Sequence, residues 1–146
     1  MESSGALCER LRERGYAVTP QRRTIFEVLE GAKHHPSAEQ VFDEVRRRLP
    51  DVSLATVYKT LKELVRMGEL QELNYHSDRS RFDPRVDPHS HVTCQTCGRV
   101  EDVELCLDRL DLSPTYHGDF TVERYEIVFY GTCGDCRRGQ VSPQAD

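Results

Sequence analysis

Through the first half of the chain apolar residues return every three or four positions, the period of a helix with one buried face. Leu7 and Leu11 mark a first helix over residues 4–14, with Gly15 as its stop. Thr19-Pro20 opens a second, a capping hydroxyl followed by proline at the first helical position. Ile25, Val28 and Leu29 share its face and Gly31 ends it. Ser37, with Gln40 three residues on, forms a capping box for a third helix. Its stripe is Ala38, Val41, Phe42, Val45 and Leu49, and Pro50-Asp51 breaks it. Ser53 caps a fourth helix running to Met67 and closed by Gly68. Leu54, Val57, Leu61, Leu64 and Val65 form its apolar face; Ala55, Tyr58, Lys59, Lys62 and Arg66 form the other. Only a few residues join the third and fourth helices, the spacing of a helix-turn-helix whose second helix is free to enter a groove.

Beyond Gly68 the pattern changes to short extended segments. Residues 69–75 and 79–83, separated by His76-Ser77-Asp78, predict a hairpin, the wing of a winged helix. Residues 84–90 contain two prolines and little apolar content and read as a hinge. Strands are predicted at about 90–94, 99–104 and 121–131, with a short helix over Leu105–Leu112 ended by Ser113-Pro114. The expected class is α+β: a winged-helix domain over 1–83, a hinge over 84–90, and a small α/β domain over 91–146. No repeat and no low-complexity tract interrupts this order.

Composition narrows the picture. A chain of 146 residues makes one domain or two small ones with a modest core. No apolar run approaches the roughly 20 residues of a membrane span. Met1-Glu2-Ser3-Ser4 lacks the basic stretch and apolar core of a secretion signal, so a soluble, cytoplasmic protein without membrane contact is expected. Six cysteines in such a chain favour metal or redox chemistry over a disulfide scaffold. The net charge of −5 argues at first against nucleic acid. It is unevenly placed: residues 1–80 hold 13 basic and 13 acidic side chains, residues 81–146 hold 7 and 12. The neutral half also carries the clusters Arg22-Arg23 and Arg46-Arg47-Arg48, and a local patch suffices to hold an anionic partner. On the fourth helix the Ser53 cap leaves amides for a phosphate, Tyr58 suits a thymine methyl or a phosphate, and Lys59 a guanine edge. A merely solvated charged face is the plainer alternative; the adjoining turn and wing weigh against it.

Cys94-Gln-Thr-Cys97 and Cys133-Gly-Asp-Cys136 are two C-x-x-C pairs. Each brings two thiolates within reach of one ion, and four thiolates complete a closed, tetrahedral, structural Zn(II) site. The intervening stretch must fold so as to bring the pairs together. Cys8 and Cys106 fall outside this scheme and read as small buried hydrophobes. Of the histidines, His34, His35, His76, His89 and His91 are candidates. His89 and His91, two apart on an extended segment, face the same side, with Asp83 just before and Asp102 on the following strand. On spacing alone this set is equally a group of exposed loop residues or a mixed imidazole and carboxylate site suited to Fe(II), Mn(II) or Zn(II).

Six segments, in order over about residues 7–138, resemble the ferric uptake regulator (Fur) family. They are Thr19-Pro20-Gln21-Arg22, His35-Pro36-Ser37-Ala38-Glu39, Ser53-Leu54-Ala55-Thr56-Val57-Tyr58, Ser80-Arg81-Phe82-Asp83, His89-Ser90-His91 with Cys94-Gln95-Thr96-Cys97-Gly98, and Tyr130-Gly131-Thr132-Cys133 with Cys136. The resemblance implies a metal-sensing transcription regulator, usually a repressor: a homodimer with a winged-helix domain that binds double-stranded DNA at a palindromic operator. It implies a regulatory Fe(II) or Mn(II) site at His35, Asp83, His89, His91 and Asp102, and DNA contacts among Arg22, Ser53, Ala55, Thr56, Tyr58, Lys59 and Lys62. Asp at position 83 is similar to the peroxide-sensing branch, where the iron-sensing branch typically has Glu; a sensor of iron, manganese or zinc level is the alternative. A further site of iron-sensing members is not expected, because Pro88, Ser90 and Tyr125 hold its positions. Residues 105–119 are shorter and more proline-broken than the family's usual helix, and Ala17 replaces a basic residue that some relatives place in the minor groove, so that contact is expected to be weaker or to come from a neighbour such as Arg22.

Two other classes compete. An enzyme would use His89, His91 and Asp83 as an open catalytic metal site, yet no general base in a pocket is recognisable and the helix-turn-helix would go unexplained. A zinc-stapled interaction module leaves the His/Asp cluster unexplained. The expected protein is a regulator, not an enzyme.

Overall fold

Each of the first four helices begins at a hydroxyl that satisfies one of its own orphan amides. The computed structural model describes residues 3–32, 34–75, 79–105, 116–123 and 125–140. In it Ser3, Thr19, Ser37 and Ser53 precede α1 (Ser4–Glu13), α2 (Pro20–Gly31), α3 (Ala38–Arg48) and α4 (Leu54–Arg66). Their oxygens accept from the amides of Ala6, Arg22, Gln40 and Thr56. At α3 the Gln40 side chain accepts in return from the Ser37 amide at 2.9 Å, completing the expected capping box. Leu11, Ile25, Phe26, Leu29, Val41, Val45, Val57, Leu61 and Leu64 meet in one core, which Leu70 and Phe82 close from the wing side. Cys8 lies buried in that core, as expected.

The apolar face of α4 needs one correction. Leu54 is 40% exposed and Thr60 is buried in its place among Val57, Leu61 and Leu64. Leu54 sits in the first turn, one turn before the stretch that packs on α2 and α3, so its side chain never reaches the core.

Gly68, at φ 77°, turns the chain out of α4 into the wing. The hairpin is β1 (Gln71–Leu73) against β2 (Arg81–Asp83), antiparallel with Gln71 opposite Asp83. β3 (Ser90–Cys94) is central in a second sheet, antiparallel to β4 (Val100–Val103) and parallel to β5 (Val128–Gly131). A one-turn helix, α5 (Gly134–Arg137), follows. The predicted strand over 121–131 is realised only from Val128. Its partner explains this: β3 starts at Ser90, just after Pro88, and opposite His91 the pairing begins with Val128. The predicted helix over Leu105–Leu112 falls outside the described residues except for Leu105, as do Cys106 and His76.

Among the described residues the second sheet buries few apolar side chains, chiefly Val100 with Cys94 and Cys97. A backbone contact joins it to the helical part, the His35 amide donating to the Val100 carbonyl at 3.5 Å, and the Phe82 amide ties the wing to the same loop through the Pro36 carbonyl at 2.9 Å. Among the described residues no helix is long and apolar enough to cross a membrane.

Candidate metal centres and nucleic-acid interface

β3 carries a ligand for each of two donor clusters, His91 near its start and Cys94 at its end. The turn after Cys94 presents Cys97, and the parallel pairing of Cys94 with Gly131 delivers Cys133 and Cys136 from beyond β5. All four sulfurs lie within 4.8 Å of one another, with Cys97 and Cys133 at 3.8 Å. Burial pushes the Cys94 thiol up, but the amides of Cys133, Cys97 and Thr96 donate to its sulfur and more than offset this, holding it down at about 6. Burial, and then the neighbouring sulfurs, push Cys136 the other way. Such a cluster cannot ionise throughout without a cation among the sulfurs, and four convergent thiolates match the donor set of zinc.

The second cluster brings together His35, Asp83, His89, His91 and Asp102, the five residues expected of a regulatory site, again within 4.8 Å. They arrive from different elements. His35 is in the loop between α2 and α3, Asp83 ends β2, His89 precedes β3, and Asp102 lies on β4 directly opposite His91. The imidazoles all turn Nε2 inward. His89 and His91 stand 2.8 and 3.0 Å from Asp83 Oδ2; His35 stands 2.7 Å from Asp102 Oδ1 and 3.4 Å from Asp83. The side chains of His89, His91 and Asp83 are 2% exposed or less, those of His35 and Asp102 13% and 33%, so the centre opens on one side. Two carboxylates with three neutral imidazoles leave two negative charges, which a dication balances, and nitrogen and oxygen donors without sulfur suit Fe(II) or Mn(II).

Outer partners fix these ligands, and sequence reasoning missed them. His89 Nδ1 donates to the Asp87 carbonyl at 2.7 Å, which leaves Nε2 free to bind. Asp83 Oδ1 accepts the Arg85 amide at 2.9 Å. His91 Nδ1 lies 3.0 Å from the Tyr75 hydroxyl, which also bonds Glu126. Burial, reinforced by Glu126, pushes the Tyr75 phenol up, so it keeps its proton at neutral pH. Arg81, almost wholly buried, donates to the His35 carbonyl at 3.2 Å, to Gln40 at 3.1 Å and to the Cys97 carbonyl at 3.5 Å, so one guanidinium touches the loops of both clusters. No periodicity in the sequence marks Tyr75 or Glu126. Arg81 lies within a recognised segment, Ser80-Arg81-Phe82-Asp83, and its burial was the missing information.

On α4, Ser53, Ala55, Thr56, Tyr58 and Lys59 are exposed. The other two expected DNA contacts are engaged internally. Lys62 holds Glu72 on β1 at 2.6 Å, and Arg22 holds Glu63 at 2.9 Å and donates to the Ala17 carbonyl at 2.6 Å. Lys62 thereby ties α4 to the wing, and Tyr58 lies beside its ammonium, 5.4 Å from ring centre to nitrogen.

A winged-helix unit joined to a small sheet domain by a shared His/Asp centre, with a four-cysteine cluster in the sheet domain, defines a metal-responsive DNA-binding regulator. The chain belongs to the ferric uptake regulator family, which it matches over residues 13–130. The peroxide-responsive repressor PerR of Staphylococcus epidermidis is 32% identical over 128 residues, covering 87% of this chain and 85% of the relative. The peroxide operon regulator of Bacillus subtilis is 33% identical over 131 residues, 89% and 90% of the two chains. The Helicobacter pylori ferric uptake regulator, described as having three functional metal binding sites, shares the fold. It superposes with a TM-score of 0.72 over 93% of this chain and 95% of that one, at 18% identity. Members of the family are DNA-binding, dimeric transcription regulators rather than enzymes.

Proposed function

We propose that the protein is a repressor whose DNA affinity is set by Fe(II) or Mn(II) held at His35, Asp83, His89, His91 and Asp102, and that it senses peroxide through that centre. The observation that carries the reading is the convergence of the five donors from both sides of the 84–90 hinge. In this reading 1–83 is the DNA-binding domain and 91–146 the dimerisation domain. His35 and Asp83 belong to the first and His91 and Asp102 to the second, so filling the centre fixes their relative angle. In a two-fold dimer that angle sets the separation of the two α4 helices, which suits a palindromic operator. Zn(II) at Cys94, Cys97, Cys133 and Cys136 stabilises the dimerisation domain and takes no part in sensing. Ser53, Ala55, Thr56, Tyr58 and Lys59 face the operator, while Arg22 and Lys62 act from within their ion pairs, holding α4 in place.

Asp83 and the names of the similar repressors support peroxide as the signal. Fe(II) held by these five residues would supply electrons for peroxide reduction, whereas Mn(II) in their place would not readily do so. The half-open centre gives the oxidant access to the ligand imidazoles. Addition of one oxygen atom to a ring, as one peroxide is reduced to water, balances atoms and electrons. It leaves a poorer donor, which releases the metal and then the DNA. The test is mass spectrometry of peptides containing His35, His89 and His91 after mild peroxide treatment of the Fe(II) and Mn(II) forms. One added oxygen on a ligand His in the iron form alone, with loss of DNA binding, is expected. Unmodified histidines with DNA binding retained would leave a sensor of metal level.

A further inference from the structure

His91 differs from its neighbour in how its outer nitrogen is held. His89 Nδ1 faces the Asp87 carbonyl, a group that only accepts, so that ring has one tautomer suited to the contact. His91 Nδ1 faces the Tyr75 hydroxyl at 3.0 Å, a group that donates as readily as it accepts. Taken alone, that contact does not fix which ring nitrogen carries hydrogen. The same hydroxyl, however, bonds Glu126 Oε1, and a carboxylate only accepts. The single hydroxyl hydrogen is thereby committed to Glu126. Its oxygen is left to accept from His91 Nδ1–H, and the Nε2 lone pair, 3.0 Å from Asp83 and 3.3 Å from Asp102, is left for an ion.

We propose that Tyr75 and Glu126 are positioning residues for the regulatory metal. Glu126 orients the Tyr75 hydroxyl, and Tyr75 holds His91 in the tautomer whose Nε2 binds. The proposal rests on reading the five-residue cluster as a metal site. The relay joins three distant segments: Tyr75 follows β1 in the wing, His91 lies on β3, and Glu126 precedes β5. The wing is therefore tied to the metal through Tyr75 as well as through Asp83. The lock is also conditional. Without Glu126 the hydroxyl hydrogen is free to turn toward Nδ1, so the ring form with hydrogen on Nε2, which cannot bind through that nitrogen, competes with the binding form. Losing the carboxylate then removes the lock and leaves the contact.

The test measures binding of Mn(II) and Co(II) alone to the zinc-loaded full-length dimer under anaerobic conditions. It compares wild type with Tyr75→Phe, Glu126→Ala, Glu126→Gln, the double variant Tyr75→Phe/Glu126→Ala, and His89→Ala. Tyr75→Phe weakens binding about 10- to 100-fold, the usual effect of removing a ligand's outer partner. Glu126→Ala weakens it by no more than Tyr75→Phe does, and the double variant stays at the level of Tyr75→Phe. Glu126→Gln, whose amide oxygen accepts the same hydrogen, stays close to wild type. Zinc content and the thermal unfolding of the zinc form do not change. Equal affinities for wild type, Tyr75→Phe and Glu126→Ala would overturn the proposal, as would a Glu126→Ala defect that adds in full to that of Tyr75→Phe in the double variant, the mark of a role independent of the hydroxyl. Absence of any His89-dependent binding in wild type would show instead that the site itself was misread, and would end the proposal with it.

Discussion

Glu69, in the turn after α4, receives Arg10 through two nitrogens at 3.1 and 2.8 Å and Arg14 at 3.1 Å, clamping α1 to the entry of the wing. The Arg10 hydrogen bonds, more than the opposing effect of burial, hold the Glu69 carboxyl below the usual carboxylate range. A carboxyl depressed on folding adds stability above its unfolded value, near 4.3, and loses it as pH falls through the folded value. Glu69→Gln is therefore expected to destabilise the protein at neutral pH by about 0.5–1 kcal/mol, with Arg10 and Arg14 partly open to solvent. In thermal melts the gap between wild type and variant should close as pH falls below 4; a gap independent of pH would assign the effect to packing. Neither this clamp nor the Tyr75–Glu126 relay was legible in the sequence. Each joins residues far apart in the chain through side chains whose types are common on surfaces.

At the scale of elements, the helices were the most legible part because their signals are local. Ser37 with Gln40, Thr19 with Pro20 and Ser53 state their own helix starts within four residues. The strand before Gly131 was overextended because alternation in a sequence says nothing of where a partner strand ends. Leu54 was misplaced because periodicity does not tell where a helix leaves the core. Its exposure, beside Ala55, Tyr58 and Lys59, widens the exposed face of α4 that the proposal turns toward DNA. Lys59→Ala is expected to weaken binding by about 1–3 kcal/mol and relax base preference at one position. Lys62→Ala, which frees Glu72 and loosens the wing, should weaken binding to all sequences alike. Affinities over a set of single-base operator variants distinguish the two patterns, and an unchanged preference in Lys59→Ala would move base recognition elsewhere.

For the whole molecule, the paired C-x-x-C motifs announced their site, whereas the His/Asp centre needed the resemblance, because its five ligands come from four separate stretches that only the tertiary fold brings together. In the proposed reading zinc held by the four cysteines is part of the sheet domain's folding. Cys94→Ser should lower zinc content, thermal stability and dimer fraction together, by metal analysis, calorimetry and sedimentation; a zinc-free variant that remains a stable dimer would remove the structural role. In the proposed reading the regulatory metal does something different: it links the two domains. His35 tests this most directly: it is a ligand in the first half, distant in sequence from the hinge, and its loop is held by Arg81 whether or not its ring binds. The decisive measurement is the affinity of wild type and His35→Ala for a duplex selected from a random pool by the Mn(II)-loaded protein, titrated with Mn(II) at constant zinc. Metal gating predicts that Mn(II) raises wild-type affinity by roughly 5- to 150-fold, while His35→Ala, dimeric and zinc-replete, stays at the metal-free level. A full Mn(II) response in His35→Ala would contradict it.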